Sequence, residues 1–302
     1  MSATTLERAT AADGGRAGRR PNYRRRRFWG EALAVAFAIL LVIWTVGPVY
    51  NMVMVALDRH DDVFSSHVFP PDPSLNSFWI VVSEGYWYLE FFWHQFGNSF
   101  YVGFGTTFFT LFIGSLTSYV IGRMRINGGW VISNLALMTY MIPASFLAIP
   151  FYLVMQYYNM SNSLWACIAA YVVFATPYAI IVFQQYSVSI PIEIDESARI
   201  DGASPWQIYW RLYLPLMAPA LVAVGTFALL LAWNDFLYQF LLLSSKKNMT
   251  VAVALAQFLN SDEAPWNYMM AAAIIYSIPP IVAYYAFRNR MTSGLTMGGV
   301  KG

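Results

Sequence analysis

Residues 189–215 read Ser189-Ile-Pro-Ile-Glu-Ile-Asp-Glu-Ser-Ala-Arg-Ile-Asp-Gly-Ala-Ser-Pro-Trp-Gln-Ile-Tyr-Trp-Arg-Leu-Tyr-Leu-Pro215, a polar segment set between two strongly apolar stretches. Its punctuation predicts two short helices at an angle. Ser189 can cap a helix that Pro191 opens, Glu193, Asp195 and Glu196 complement the positive end of that helix, and Gly202 can close it in the left-handed conformation. Ser204 and Pro205 start the second helix, which carries Trp206, Tyr209, Trp210 and Tyr213 as one aromatic stripe and is expected to stop at Pro215. A short amphipathic helix between apolar stretches can lie in lipid headgroups, pack on its own chain or fill a partner's groove, and pattern alone leaves the three open.

The flanking stretches decide the class. Apolar residues make up 58% of the 302 residues and charged residues 11%, against about 45–50% and about 25% in soluble domains. An all-α integral membrane protein follows. At about 20 apolar residues per crossing, six spans are predicted: Ala32–Leu57, Phe100–Ile121, Trp130–Gln156, Leu164–Gln185, Leu216–Leu243 and Tyr268–Phe287. The loop 189–215 then lies between the fourth and fifth spans.

Eight arginines fall in the first 27 residues. With the N-terminus inside, 15 of the 18 basic residues are cytoplasmic and only Arg59, Lys246 and Lys247 are outside, so both termini and the loop are expected in the cytoplasm. Residues 1–29 read as a disordered basic tail and 30–293 as the transmembrane domain. Residues 294–302, Gly294-Leu-Thr-Met-Gly-Gly-Val-Lys-Gly302, hold too much glycine for a stable helix. Asp58–Gly97 is rich in Trp and Tyr, as at a membrane boundary, and Ser244–Asn267 is long enough to form a protruding finger.

Chemistry is scarce. No phosphate-cradling Gly-x-x-x-x-Gly-Lys-[Ser/Thr] segment is present, and His60, His67 and His94 lie outside the spans, so no catalytic constellation forms there. His60, Asp61, Asp62 and His67 read as solvated rather than as a metal site. Cys167 is the single cysteine and excludes a disulfide framework. Asp235, beside Asn234 in the fifth span, is the exceptional carboxylate and needs a partner or water; it is either capped at the membrane boundary or lines a path. Pro143, Pro150, Pro177, Pro219, Pro279 and Pro280 are expected to interrupt the spans and free backbone carbonyls.

Glu196-Ser-Ala198, Asp201-Gly202-Ala203 and Leu214-Pro215 resemble the Glu-Ala-Ala, Asp-Gly-Ala and Leu-Pro elements of the loop that marks ABC-importer permeases, with Ser197 in place of an alanine. Asn98-Ser99, Ile142-Pro143, Ile149-Pro150, Trp233-Asn234-Asp235-Phe236 and the Gly294–Gly302 ending are similar to the second, maltose-type carbohydrate permease. The resemblance implies a subunit of an ATP-driven sugar importer in the bacterial cytoplasmic (inner) membrane, with no cofactor, metal or catalytic residue of its own. Its implied partners are a homologous second permease, two ATP-binding subunits, an extracellular or periplasmic solute-binding protein and the lipid membrane, with no nucleic acid.

By the same resemblance, Glu196, Ala198, Asp201, Gly202, Ala203, Trp206, Tyr209, Leu214 and Pro215 couple to an ATPase subunit. Gly294, Gly298, Gly299, Lys301 and Gly302 form a tail that reaches the ATPases, and Asn234 and Asp235 are candidates for the translocation path. The 244–267 finger would touch the binding protein. A polyol or glycerol-phosphate importer is the nearby alternative, and a membrane scaffold protein is the alternative outside transport.

Overall fold

The computed structural model describes residues 23–59, 68–260 and 264–296. His60, Asp61, Asp62, His67, Gly298, Gly299, Lys301 and Gly302 lie outside the described residues. Among those described, every regular element is a helix. The chain divides at Asn51 into two compact units.

The first unit carries most of α1 (Tyr23–Leu57). That helix starts inside the segment 1–29 that reads as a disordered tail, because Arg24–Arg27 are good helix formers and carry the helix N-terminally from the apolar run. Its apolar side chains from Leu33 to Val49 are exposed within the chain, up to 81% at Trp44. A helix apolar on all sides in this way is suited to lipid or to another apolar surface.

In the second unit, α2 (Asn76–Val82) precedes α3 (Phe92–Gly122), α4 (Gly129–Tyr140), α5 (Ala144–Tyr157) and α6 (Leu164–Ser187). Then come α7 (Glu193–Ile200), α8 (Pro205–Ile208), a π turn (Tyr209–Tyr213), α9 (Leu214–Leu216), α10 (Ala218–Asn234), α11 (Leu237–Leu242), α12 (Val251–Ala256) and α13 (Trp266–Thr296). The centre is α3, packed against α6 and α10, and α13 packs on α10. Small residues permit this contact: a Cβ on Gly105 would lie 2.6 Å from Ile168 Cδ1, and one on Gly114 would lie 2.7 Å from Ala179 Cβ. Without water to drive apolar helices together, such close backbone approach is what binds them in a membrane.

Four helices are long and apolar enough to cross a membrane, within α1, α3, α6 and α13, and up to six crossings result if each of two bent helix pairs is one span. The predicted third span is therefore not straight. Between α4 and α5 the axis turns by 101° at Met141–Pro143, because Pro143 caps α5 in an extended conformation that ends the preceding helix. The predicted fifth span is also divided: a 78° bend at Met217 separates α9 from α10, and Asp235, in extended backbone, separates α10 from α11. By contrast Pro150, Pro177, Pro279 and Pro280 lie inside continuous helices.

Three further readings change. The helix α3 begins at Phe92, ahead of the predicted Phe100, since its first turn packs into an aromatic cluster in which Tyr86 and Tyr88 meet Phe258 at 5.8 and 5.0 Å between ring centroids. The part of the expected finger that forms α12 does not protrude; it buries Val251, Val253 and Ala254 against α3 and α13. Finally α13 runs through Gly294 to Thr296, so the first residues of the glycine-rich ending are helical, carried by the apolar helix before them.

Candidate functional site

The loop 189–215 is built as two helices joined at Gly202. Its entry is set by Arg123, the residue after α3. The guanidinium donates through Nε and Nη2 to the Asp195 carboxylate at 2.8 and 3.0 Å, through Nη1 to the Ile190 carbonyl at 2.8 Å and through Nη2 to the Pro191 carbonyl at 3.1 Å. Both side chains are buried, with exposures of 4% and 2%. The planar fork of arginine satisfies a carboxylate with two parallel bonds, and here it also receives two carbonyls left free at the bend before α7. Ser189 does not cap α7. Its hydroxyl donates to the Tyr186 carbonyl at 2.7 Å and so closes α6 instead, while Ile192 occupies the cap position.

The Gly202 end is as its sequence requires. Gly202 has φ +85°, the Gly202 N–H reaches the Arg199 carbonyl and the Ala203 N–H the Ala198 carbonyl at 3.0 and 2.9 Å, the bonding expected of a left-handed helix stop. A Cβ at this position would meet nothing within 4 Å, so glycine is required by the dihedral angle and not by space. Ser204 and Gln207 then form a reciprocal capping box, each side chain bonding the other's backbone N–H.

The aromatic stripe divides. The segment Tyr209–Tyr213 is a π turn in which the Leu214 N–H bonds the Tyr209 carbonyl; Pro215, lacking an N–H and crowding the carbonyl four residues before it, disfavours the ordinary α pattern there. Tyr209 and Tyr213 are each 1% exposed. The Tyr209 hydroxyl shares a 2.8 Å hydrogen bond with Ser115, that of Tyr213 donates to Ser118 at 3.2 Å, and the hydroxyl of Tyr119 donates to the Pro205 carbonyl at 2.9 Å. Trp206 and Trp210 stay 54% and 48% exposed. Tyr209 is thus part of the chain's own core, a correction to its place among residues free to meet a partner. The helix also passes Pro215 and ends at Leu216.

What remains on the surface is a compact ridge. Glu196, Asp201 and Gly202 are exposed, as is Ile200, 86% accessible although apolar. Beside them Ala198, Gly202, Ala203, Gln207 and Arg211 line a depression of about 410 Å³. Sequence reading missed Ile200 as a surface anchor, and missed Arg123, Ser115 and Ser118 altogether. The only signal for Arg123 was a basic residue closing an apolar span; nothing in the sequence names Asp195 as its partner.

Asn234 and Asp235 occupy the break between α10 and α11. The carboxylate of Asp235 accepts from the Tyr171 hydroxyl at 2.7 Å and from the Tyr238 N–H at 2.9 Å, which answers its need for partners and caps α11. Asn234 is exposed. Tyr238 donates onward to the Ala144 carbonyl at 2.6 Å, tying the α10–α11 break to the α4–α5 bend. Among the described residues no group of acidic, histidine or cysteine side chains is arranged to hold a metal ion.

Over residues 111–296, which include the whole loop, the chain matches the family described as binding-protein-dependent transport system inner membrane component. The chain belongs to that family. This permease is 29% identical over 283 residues to the trehalose transport system permease protein SugB of Mycobacterium tuberculosis, covering 92% of this chain and 99% of that protein. It is 28% identical to the diacetylchitobiose uptake system permease protein DasC of Streptomyces coelicolor, covering 92% and 100% of the two chains. To the arabinooligosaccharides transport system permease protein AraQ of Halalkalibacterium halodurans it is 28% identical, covering 89% and 96%. Its fold is that of a chain in the crystal structure of a bacterial ABC transporter that imports the polysaccharide alginate, with a TM-score of 0.75, 21% identity and coverage of 88% and 97%. Membership of that family gives the chain a transport role.

Proposed function

We propose that this permease is one subunit of an ATP-driven importer of sugars or oligosaccharides, forming half of the translocation path with a homologous second permease. The observation that carries the coupling role is the ridge of Glu196, Ile200, Asp201, Trp206 and Trp210, exposed on a loop whose inner side is locked to α3. An exposed ridge that sets apolar Ile200, Trp206 and Trp210 beside two carboxylates on a rigid base suits a groove on another protein, because little is lost in ordering it. The partner is a separate ATPase subunit, with Ala198, Gly202 and Ala203 flooring the contact and Leu214 and Pro215 setting the exit angle. The sugar reading is supported by relatives named for trehalose, diacetylchitobiose and arabino-oligosaccharides.

The rest of the arrangement follows from this role. The loop and both termini face the cytoplasm, in keeping with the distribution of basic residues. The ending from Gly294 to Gly302, with Gly298, Gly299 and Lys301, reaches the paired ATPases, and a solute-binding protein delivers the sugar from outside. Asn234, exposed at the α10–α11 break, is the stronger path candidate of its pair, since Asp235 is occupied by Tyr171 and Tyr238. Solute uptake into vesicles holding the whole complex is the test: it should require ATP and cease when the ATPase subunit is inactivated. Uptake that persists without ATP hydrolysis would overturn the reading.

A further inference from the structure

The loop is bound to α3 at one end of that helix, and a second irregular segment is bound at the other. At the Arg123 end, Ser115, Ser118, Tyr119 and Arg123 each hold a group of the loop. At the Phe92 end, Gln95 Nε2 donates to the Lys246 carbonyl at 2.9 Å, and Asn98 Nδ2 donates to the Lys247 and Met249 carbonyls at 2.8 and 2.9 Å. Ser99 Oγ accepts from the Val251 N–H at 3.2 Å. Gln95, Asn98 and Ser99 are all buried, so these bonds are sheltered from exchange with water and hold non-helical backbone that would otherwise be unsatisfied. Between its ends α3 is one helix of 31 residues, about 46 Å long, without proline.

We propose that α3 is a transmission rod which carries displacement of the 189–215 loop to the 244–251 segment on the opposite side, with Asn98 as the positioning residue at the far end. This rests on the reading of the loop as the ATPase contact. An uninterrupted helix gripped by several side-chain bonds at both ends, and fitted closely against α6 and α10 at Gly105, Gly114 and Gly103, moves as a body rather than absorbing motion along its length. Asn98 matters most because one side-chain amide holds two carbonyls of the far segment, and only a paired N–H donor of that length can do so. The segment 244–251 thereby becomes a mechanical extension of the loop.

The test uses the full complex in lipid nanodiscs, with bimane on Lys247→Cys in a Cys167→Ala background and, separately, on Ser204→Cys. Both reporters should change emission when MgATP and orthovanadate trap the ATPases. Adding Asn98→Ala should reduce the Lys247→Cys change at least twofold while leaving the Ser204→Cys change, ATPase copurification and basal hydrolysis close to the parent. Equal responses at Lys247→Cys with and without Asn98→Ala would overturn the rod. If Asn98→Ala fails to insert, Ser99→Ala, which removes the acceptor for the Val251 N–H and a donor to the Gln95 carbonyl within α3, is judged by the same twofold criterion. Failure of the parent to retain an ATPase subunit would instead overturn the coupling role of the loop, so the two readings fail separately.

Discussion

Arg123 and Asp195, 72 residues apart in sequence, form a two-pronged ion pair at 2.8 and 3.0 Å in the interior of the permease. The pair fixes where α7 begins relative to the end of α3. Removing one member leaves a buried charge with no counter-charge, which costs about 3–5 kcal/mol, whereas replacing both with apolar groups of similar size is often close to neutral. Arg123→Leu and Asp195→Leu should each lower the unfolding temperature of the detergent-solubilised protein and speed proteolysis within 189–215. The double variant should recover most of the loss, and a double variant as unstable as the sum of the singles would contradict a direct pair.

At Gly202 the expected order follows from the dihedral angle. Left-handed backbone costs a residue with a Cβ about 1–2 kcal/mol, less for asparagine and more for β-branched side chains. ATPase copurification should fall in the order Gly, Asn, Ala, Val at this position. Since no atom stands within 4 Å of a Cβ there, an alanine variant as disruptive as valine would point to crowding by the partner rather than to backbone strain.

The divided aromatic stripe predicts opposite phenotypes for neighbours. Tyr209→Ala empties a buried site and should destabilise the protein by about 3–5 kcal/mol, and Tyr209→Phe, which loses the bond to Ser115, by about 1 kcal/mol. Trp206→Ala and Ile200→Ser should leave the melting curve near that of the parent and weaken ATPase retention. Pull-down and thermal melting on the same preparations separate the two classes.

For the α10–α11 break the discriminating change is Asp235→Asn. It keeps an acceptor for Tyr171 and the Tyr238 N–H, so expression and uptake should stay within a fewfold of the parent, whereas Asp235→Leu should lower expression. Asn234→Leu should lower uptake without lowering expression if Asn234 faces the path. Normal uptake in Asn234→Leu removes that residue from the path.

Orientation is checked with cysteines placed at two exposed positions in a Cys167→Ala background. A membrane-impermeant thiol reagent should label Ser244→Cys in intact cells and Ser204→Cys only after permeabilisation. The reverse pattern would invert the topology and place the loop away from any cytoplasmic ATPase.

What could be read from the sequence was local chemistry. Gly202, Ser204 with Pro205, and the acids in the first turn of α7 announce themselves because each helix end is set within a few residues. The loop resembled its family for the same reason. The sequence did not disclose contacts closed over long separations: Arg123 with Asp195, or the hydroxyls of Ser115 and Ser118 that draw Tyr209 and Tyr213 inward. Helical spacing put Tyr209 beside Trp206, and their rings do stack, 5.4 Å between centroids, but only Tyr209 reaches across to Ser115 and is buried. Likewise Pro143 flagged a break in the third apolar run, but the sharpness of the turn depends on contacts from elsewhere, including Tyr238 with the Ala144 carbonyl.

The turn between α4 and α5 also bears on the surrounding lipid. Arms of 12 and 14 residues bent by 101° put their far ends about 25 Å apart, from a rise of about 1.5 Å per residue, before the short break at Met141–Pro143 is added. A hydrocarbon layer is about 30 Å thick. Where the pair serves as a single crossing, its helical part is a short bridge, and the apolar slab beside it is pinched locally or closed off by protein. Hydrophobic mismatch then becomes a control on this permease: lipids with longer acyl chains load the bend, and its turnover should fall in vesicles of increasing chain length more steeply than that of a permease whose crossings are all straight.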